Sequence, residues 1–431
     1  MTMTDFSSTY AEAMEEYRIA VREMEANDWI ETDKHNYPIR QIFRDHLSVV
    51  LQNPGLPPEQ KKAAWCIANC KTPEIGFNAV YCPECKQLKL HYASCNNRNC
   101  PCCQYPSQQA WIEQRKNEVI PDVPYYHIIL TVPHMLNDLI SSNQNLLLGT
   151  LFQCSAQAVI EMCQNQKHLG AIPGIVSVLH TWQQTLQTHF HIHMIVSGGG
   201  INGLGQFISI TEKHGWRNHS ERQQDNMFFL PMSALTKLFR GKMMDSVKRL
   251  MAAHRLSIPA ANQEQYLDLT LWNSFCNKLY DVDWVGKIVQ TFNGNGNAVD
   301  YLARYTFKTA ISNGRIIRYD GTTVTIRITD RETREPKEVP IPAVEFVFRF
   351  LQHVLPSGFT RVRYSGFLAN SCKTKCLSSI HRQRKLKEYT PSPLTGASKM
   401  TILKVLFQKD FSCCPSCGAK FIQLPRGRPD L

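Results

Sequence analysis

The chain lacks the features that would send it out of the cytoplasm. Its opening text, MTMTDFSSTYAEAMEEYRIAVREMEAND, is mixed polar and acidic, so no secretory signal is expected. Long hydrophobic runs are missing too: IIL at 128–130 and FVFRFL at 346–351 fall far short of the roughly 20 apolar residues of a membrane span. These absences point to a reducing compartment, a cytoplasmic location and no membrane partner. No internal repeat and no long low-complexity tract occur, which argues against a solenoid or a disordered chain. Acidic residues are scarce: 36 Asp and Glu face 48 Lys and Arg, a net charge of +12, and such a balance implies an anionic partner, nucleic acid first. With 431 residues, 43% hydrophobic and 19% charged, the chain can build two or three cores.

The organisation follows from periodicity. Tyr10, Met14, Tyr17, Val21 and Met24 recur at helical spacing, and IRQIFRDHLSVVL and PPEQKKAAWCIANC continue the helical text. A cysteine-dense segment over 77–103 follows, then a polar helix, QQAWIEQRKNEVI, that stops at Pro121. YYHIILTV reads as a strand, and MLNDLISSNQNLLLGTLFQCSAQAVIEMCQ as one long helix. IVSVLHTWQQTLQ and HFHIHMIVSGGG are close enough to pair as a hairpin turning near Thr188 and His189, the second strand ending at its glycines. Residues 204–290 look like an insertion, with short strands, helices and a final strand in WVGKIVQTF. AVDYLARYTFKTAIS reads as a helix capped near Asn297, and Asp320-Gly321 marks a hairpin. The expected class is α+β, with a helical, cysteine-rich module over 1–120, a central domain over 121–312 and a basic region over 313–431.

Sixteen cysteines are present, and eight of them fall within residues 66–103, a clustering that points to metal. CPEC at 82–85 and CPCC at 100–103 each supply a C-x2-C knuckle, so Cys82, Cys85, Cys100 and Cys103 are the expected ligands of one structural Zn²⁺. Cys95 and Cys102 stand as alternates, and His91 could replace a ligand. Cys66 and Cys70 read equally well as buried thiols. Lys86, Lys89, Arg98, Tyr105, Arg115 and Lys116 make the surroundings basic and aromatic, as a DNA-contacting module would be. Near the other end, CPSCG at 414–418 is a further knuckle, which Cys372 and Cys376 could complete; Cys154, Cys163 and Cys276 read as buried.

His189, His191 and His193 alternate, so on a strand all three face one side while Phe190, Ile192 and Met194 face a core. Three imidazoles in register suggest a divalent metal site. Gln184 on the paired strand is the expected further ligand, with Glu161 and His180 as lesser candidates. A neutral oxygen with two imidazoles suits Mg²⁺ or Mn²⁺ acting on a phosphate. Tyr301 and Tyr305, at i and i+4, share a helical face, with Arg304 and Lys308 on or beside it. A tyrosine hydroxyl near such a metal is a competent nucleophile, and Lys308 or Arg304 could stabilise the developing charge.

Taken in order, CPEC, SCNNRNCPCC, YHIILTVP, TWQQTLQTHFHIHMIVSGGG, YLARYTFKTAIS, RVRYSGFLAN and CPSCG resemble the two-tyrosine rolling-circle transposases of bacterial insertion sequences, members of the HUH endonuclease superfamily. The resemblance spans residues 66–418. It implies an HUH endonuclease core, an antiparallel sheet flanked by helices with the histidine strand at its centre, and makes 204–290 an elaboration. His191 and His193 become the metal pair, Gln184 the third ligand, and Tyr301 and Tyr305 the nucleophiles. The implied activity is cleavage and rejoining of single-stranded DNA through a 5′-phosphotyrosine link that leaves a 3′-OH to prime replication, in the bacterial nucleoid, with host replication proteins as partners. A replication initiator or relaxase of the same superfamily is the nearer alternative; a non-catalytic zinc-dependent DNA-binding regulator is the more distant one.

Overall fold

A computed structural model describes residues 3–26, 37–213, 230–293, 308–330 and 332–427. Its described strands are β1 (Phe77–Cys82), β2 (Gln87–Tyr92), β3 (Pro124–Thr131), β4 (Ile172–Trp182), β5 (Thr188–Ile201), β6 (Phe207–Ser209), β7 (Gly286–Asn293), β8 (Ile316–Tyr319), β9 (Thr323–Thr329), β10 (Pro336–Pro342), β11 (Val362–Gly366) and β12 (Ile422–Gln423). With the helices between them they make an α+β protein of two compact units. One comprises Met1–Ala110, Thr309–Val354 and Pro393–Leu431; the other comprises Trp111–Lys308 and Leu355–Ser392. Sequence reading drew three consecutive blocks, 1–120, 121–312 and 313–431. In the structure the chain instead passes back and forth between the units, because strands far apart in sequence pair within each.

The second unit is built on an antiparallel sheet in the order β11-β4-β5-β3-β7, with β6 pairing β5. The histidine strand β5 is its middle strand. One face carries Leu130, Leu179, Phe190, Ile192, Met194 and Val196 into a core closed by the helices Gln144–Gln164, Met232–Ala252 and Leu269–Asp281. Gln144–Gln164 is long and apolar enough to cross a membrane, yet Leu147, Leu148, Leu151, Phe152 and Val159 are buried in that core. Near its β6 and β11 end, the opposite face carries Val176, Val178 and Ile195 against Leu377 and Ile380 of the helix Lys373–Gln383.

The expected long helix breaks at Asn143 into Asn137–Ser142 and Gln144–Gln164. The glycines close β5 as expected: the strand runs through Gly198, Gly199 and Gly200 to Ile201, neighbours come too close there for a side chain, and a Cβ on Gly200 would lie 2.5 Å from the Ile172 carbonyl oxygen. Residues 204–290, read as an insertion, contribute to both the sheet and the core. β7 pairs with β3 from Leu130↔Gly286 to Pro124↔Asn293, and Leu235, Phe239, Met243, Met244 and Val247 are buried in the main core.

The first unit holds two smaller sheets, β12-β1-β2 and β10-β9-β8. The helix Met3–Ala26 lays Ala13, Met14, Tyr17 and Val21 on Phe77, Ala79 and Tyr81 of β1. The β8–β9 hairpin turns where Asp320-Gly321 predicts it: Asp320 Oδ1 accepts from the N–H groups of Thr322 and Thr323 at 2.9 and 2.8 Å, and Gly321 takes the left-handed φ of 94°. Against this hairpin the helices Pro38–Asp45 and Ala343–Leu351 meet through Phe43 and Phe350, whose rings cross edge to face at 5.2 Å.

Because Ile192 is fully buried on the core side of β5, Ile192→Ala should destabilise the protein by about 2–5 kcal/mol. A denaturant midpoint unchanged from the parent would contradict this packing.

Candidate active site

The sheet brings three imidazoles together. His180 on β4 pairs directly with His191 on β5, and Val178 with His193, so His180, His191 and His193 share one face. One ring nitrogen from each lies within 4.8 Å of the others. Their rings are 4.4 to 5.4 Å apart. His180 and His193 are 3% and 6% exposed.

Neighbouring groups orient these rings. His191 Nδ1 lies 2.9 Å from the His189 carbonyl oxygen, so this nitrogen donates and Nε2 is left as a lone-pair donor. His193 Nδ1 contacts His127 Nε2 at 2.8 Å, the two rings stacked with centroids 5.0 Å apart. If Nδ1 of His193 carries the proton, His127 accepts it and His193 Nε2 is a ligand. His180 stacks on Trp182 at 4.7 Å.

Burial, with the nearby His189, pushes His191 down to about 3. Burial, then His180, His191 and His127, lowers His193 as well. Burial and Lys287 bring His127 down to about 4. All three rings are therefore neutral at physiological pH, the state that can ligate a cation. The donor set fits a divalent metal with open positions.

Gln184, the ligand expected from the hairpin, lies in its turn rather than on the strand beside His191. β4 ends at Trp182, the Gln183 N–H bonds to the Gln187 carbonyl at 3.0 Å, and Gln184 sits exposed in the turn between them. The reversal therefore comes before Thr188 and His189, which belong to β5, and His180 rather than Gln184 faces His191. Glu161 pairs instead with Lys242 at 2.6 Å. His189 stays beside the group, its ring 5.0 Å from that of His191 and 5.0 Å from that of His134. Tyr301, Arg304 and Tyr305 lie outside the described residues, as does the cap at Asn297. Residues 308–312, the described end of the expected helix, are not helical. Lys308 is close enough to disfavour protonation of His191 and His193, and its carbonyl accepts from Arg361 Nη2 at 3.0 Å.

Three contributors were not picked out from sequence. His127 looks like a lone histidine in YYHIILTV, and only strand pairing brings it to His193. Lys287 lies opposite Ile129 across β3 and β7. Arg361, just before β11, holds its guanidinium 5.7 Å from the Trp182 ring. Alternation along WVGKIVQTF could have signalled Lys287; nothing local signals Arg361.

The cysteines group differently from the expected single cage. Cys82, Cys85, Cys100 and Cys103 do not come together. Cys100 and Cys103 gather with Cys70 and Cys95, and Cys82 and Cys85 with Cys414 and Cys417, each set within 4.8 Å. The physical reason is β1: Cys82 ends that strand and its knuckle turns the chain into β2, carrying CPEC to the hairpin tip while CPCC follows the far end of β2. Cys102 is outside both groups and accepts from Asn313 Nδ2 at 3.9 Å. Cys66 stands beside the first group, and its thiol is brought down to about 7, chiefly by Cys95. Cys372 and Cys376 join neither group, while Cys154, Cys163 and Cys276 are buried.

Comparison with known proteins bears on both sites. Residues 174–375 match a family described as "Putative transposase", and residues 42–132 match a transposase zinc-binding domain. The chain is 26% identical over 395 residues to the transposase for insertion sequence element IS801 of Pseudomonas savastanoi pv. phaseolicola, covering 89% of this chain and 88% of that one. Over most of its length the chain is thus similar to transposases of bacterial insertion sequences. It is also 29% identical over 383 residues to "Putative transposase y4qJ" of Sinorhizobium fredii, over 88% of this chain and 92% of that one. No solved structure matches. A transposase cuts and transfers DNA strands, and the match over residues 42–132 marks a zinc-binding domain in this chain. The two matched regions contain the imidazole group and the first cysteine group, but not Cys414 or Cys417.

Calorimetric Mn²⁺ titration should separate the two readings of the third ligand. His180→Ala should weaken binding at least tenfold and Gln184→Ala by less than twofold, while His127→Ala should cost about 10–100-fold. The reverse ranking of His180 and Gln184 would restore the turn glutamine as ligand.

Proposed function

We propose that the imidazole face is the catalytic centre and that Tyr301 and Tyr305 are its nucleophiles, acting on single-stranded DNA at the ends of an insertion sequence. The observation that carries the reading is a three-histidine donor set, with His191 and His193 held neutral, near three cations, Lys287, Lys308 and Arg361, a combination suited to a phosphodiester. Tyr305 is three residues from Lys308, so the covalent chain keeps their Cα atoms within about 11 Å.

His180, His191 and His193 would hold Mg²⁺ or Mn²⁺, and three imidazoles without a carboxamide favour Mn²⁺. When bound, the ion polarises the scissile phosphate as a Lewis acid. A tyrosine Oη forms a bond to phosphorus as the bond to the 3′-oxygen breaks. The tyrosine gives up its proton and the leaving 3′-oxygen takes one, yielding a 5′-phosphotyrosine and a free 3′-OH. Lys308 and Arg361 offset the negative charge that builds on the non-bridging oxygens. The second tyrosine permits another attack while the first link persists, and the 3′-OH would prime synthesis by host replication proteins in the nucleoid. Zn²⁺ at Cys70, Cys95, Cys100 and Cys103 would hold the module matched by the zinc-binding family, replacing the cage expected from Cys82, Cys85, Cys100 and Cys103.

A single-stranded oligonucleotide bearing an element end, incubated with Mn²⁺ or Mg²⁺, should give a covalent adduct with higher yield in Mn²⁺. The adduct should vanish only when Tyr301→Phe and Tyr305→Phe are combined. DNA binding without an adduct would favour the regulator reading and sink this one. Lys308→Ala should slow adduct formation about 10²-fold while leaving Mn²⁺ affinity nearly unchanged.

A further inference from the structure

We infer that Cys82, Cys85, Cys414 and Cys417 form a second tetrathiolate zinc centre, one that clasps the C-terminal segment onto the β1–β2 hairpin. Cys82 Sγ lies 3.5 Å from Cys417 Sγ, and Cys85 Sγ lies 3.9 Å from Cys414 Sγ. A tetrahedron with Zn–S bonds near 2.3 Å has edges of about 3.8 Å, whereas a disulfide would draw two sulfurs to about 2.0 Å. The four thiols are free.

Backbone geometry supports the assignment independently of the sulfur distances. Both pairs are written C-P-x-C, and in each the residue after the second cysteine is left-handed: Lys86 at φ 50° and Gly418 at φ 78°. Glycine takes that conformation without strain, and Lys86 takes it against its Cβ, so the two knuckles bend the backbone in the same way. Amides point at the sulfurs. The Cys85 N–H donates to Cys82 Sγ at 3.4 Å, and those of Ser416 and Cys417 donate to Cys414 Sγ. The Gly418 N–H bonds to the Cys414 carbonyl at 2.9 Å and closes the second knuckle.

The other ties of the segment are few: Ile422 and Leu424 are buried with Phe77, Ala79 and Tyr81, and the Phe407 ring lies 6.5 Å from that of Tyr105. β12 is two residues long, pairing Val80↔Gln423 and Tyr81↔Ile422 with β1. Leu424 and Phe77 add backbone bonds to Ala79 and Gly427 at 3.1 and 3.0 Å. The helix Lys399–Phe407 has no buried residue. A segment with so small a core needs a metal or a covalent tie to stay folded. The tie spans almost the whole chain, since Cys85 and Cys414 are 329 residues apart. Loop closure over that length makes the metal a strong constraint on the unfolded state.

Metal analysis of the purified protein should find two thiolate-bound zinc ions per chain, and the thiolate-to-cobalt absorption of the metal-free protein on Co²⁺ titration should reach the amplitude of two tetrathiolate sites, whatever the imidazole face takes up. Cys414→Ser combined with Cys417→Ser should leave one zinc, while Cys413→Ser, outside the cluster, should keep two. Trypsin should cut at Lys399, Lys404 and Lys409 at least tenfold faster in the double variant than in the parent. One equivalent in the wild type, lost with Cys100→Ser and Cys103→Ser but indifferent to Cys414→Ser and Cys417→Ser, would overturn the second centre and leave the first intact. Loss of one zinc with no change in proteolysis would overturn the clasp.

Discussion

The alternation of β5 is the constraint on which the catalytic unit depends. Phe190, Ile192 and Met194 are buried among three helices on one face, and His189, His191 and His193 occupy the other. A slip of one residue would exchange the faces, moving three apolar side chains out of the core and three imidazoles into it. Burial of the apolar set, about 1.5–3 kcal/mol for each side chain, therefore fixes the register that sets His191 opposite His180. The sheet is a packing device first, and its chemistry is a consequence of where the packing stops. Towards Ile195 the histidine face is covered by the helix Lys373–Gln383, and at the other end of β5 the imidazoles take over.

The same desolvation that would penalise charged imidazoles keeps them neutral. Lys287 and Lys308 reinforce this, since a cation nearby makes a second positive charge unfavourable. The arrangement is poised for two kinds of charge: a divalent cation among neutral nitrogens and an anionic backbone among fixed lysines and an arginine. In the proposed mechanism the imidazole face and the cationic rim are complementary, because a phosphate needs both a polarising centre and compensating charge.

The other unit solves its folding problem differently. Ile39, Ile42, Phe43, Ile67, Phe346 and Phe350 make a buried apolar core around the helices Pro38–Asp45 and Ala343–Leu351, but β12 has only two residues. Thiol groups gather at the β1–β2 hairpin and the polar loop after it. Cys70, Cys95, Cys100 and Cys103 gather residues from a helix end and a polar loop, and Cys82, Cys85, Cys414 and Cys417 bring together segments from the two ends of the chain. Lys71 and Asn96, each following a cysteine of the first group, are left-handed at φ 60° and 53°, as Lys86 and Gly418 are in the second. The turn recurs after Cys70 and Cys95 in the first group and after Cys85 and Cys417 in the second, a common way of bending the backbone beside sulfur.

Periodicity and residue type were enough to determine the α+β class, the histidine strand with its core-facing partners, the Asp320-Gly321 turn and the presence of metal-seeking cysteines, because each of these is decided by neighbours within a few residues. Partner choice was not legible. CPEC and CPCC looked like one cage, but β1 and β2 separate them, and the true neighbours, Cys414 and Cys417 for one and Cys70 and Cys95 for the other, are set by strand pairing and chain reversal. The hairpin places Gln184 in the reversal over Gln183–Gln187 and sets His180 across from His191, a register that no local pattern encodes. His127, Lys287 and Arg361 reach the site through β3, β7 and the segment before β11, whose order in the sheet no local pattern encodes. Local chemistry thus named the donors, while only the tertiary structure decided which donors meet, since that depends on the register and order of strands separated by tens to hundreds of residues.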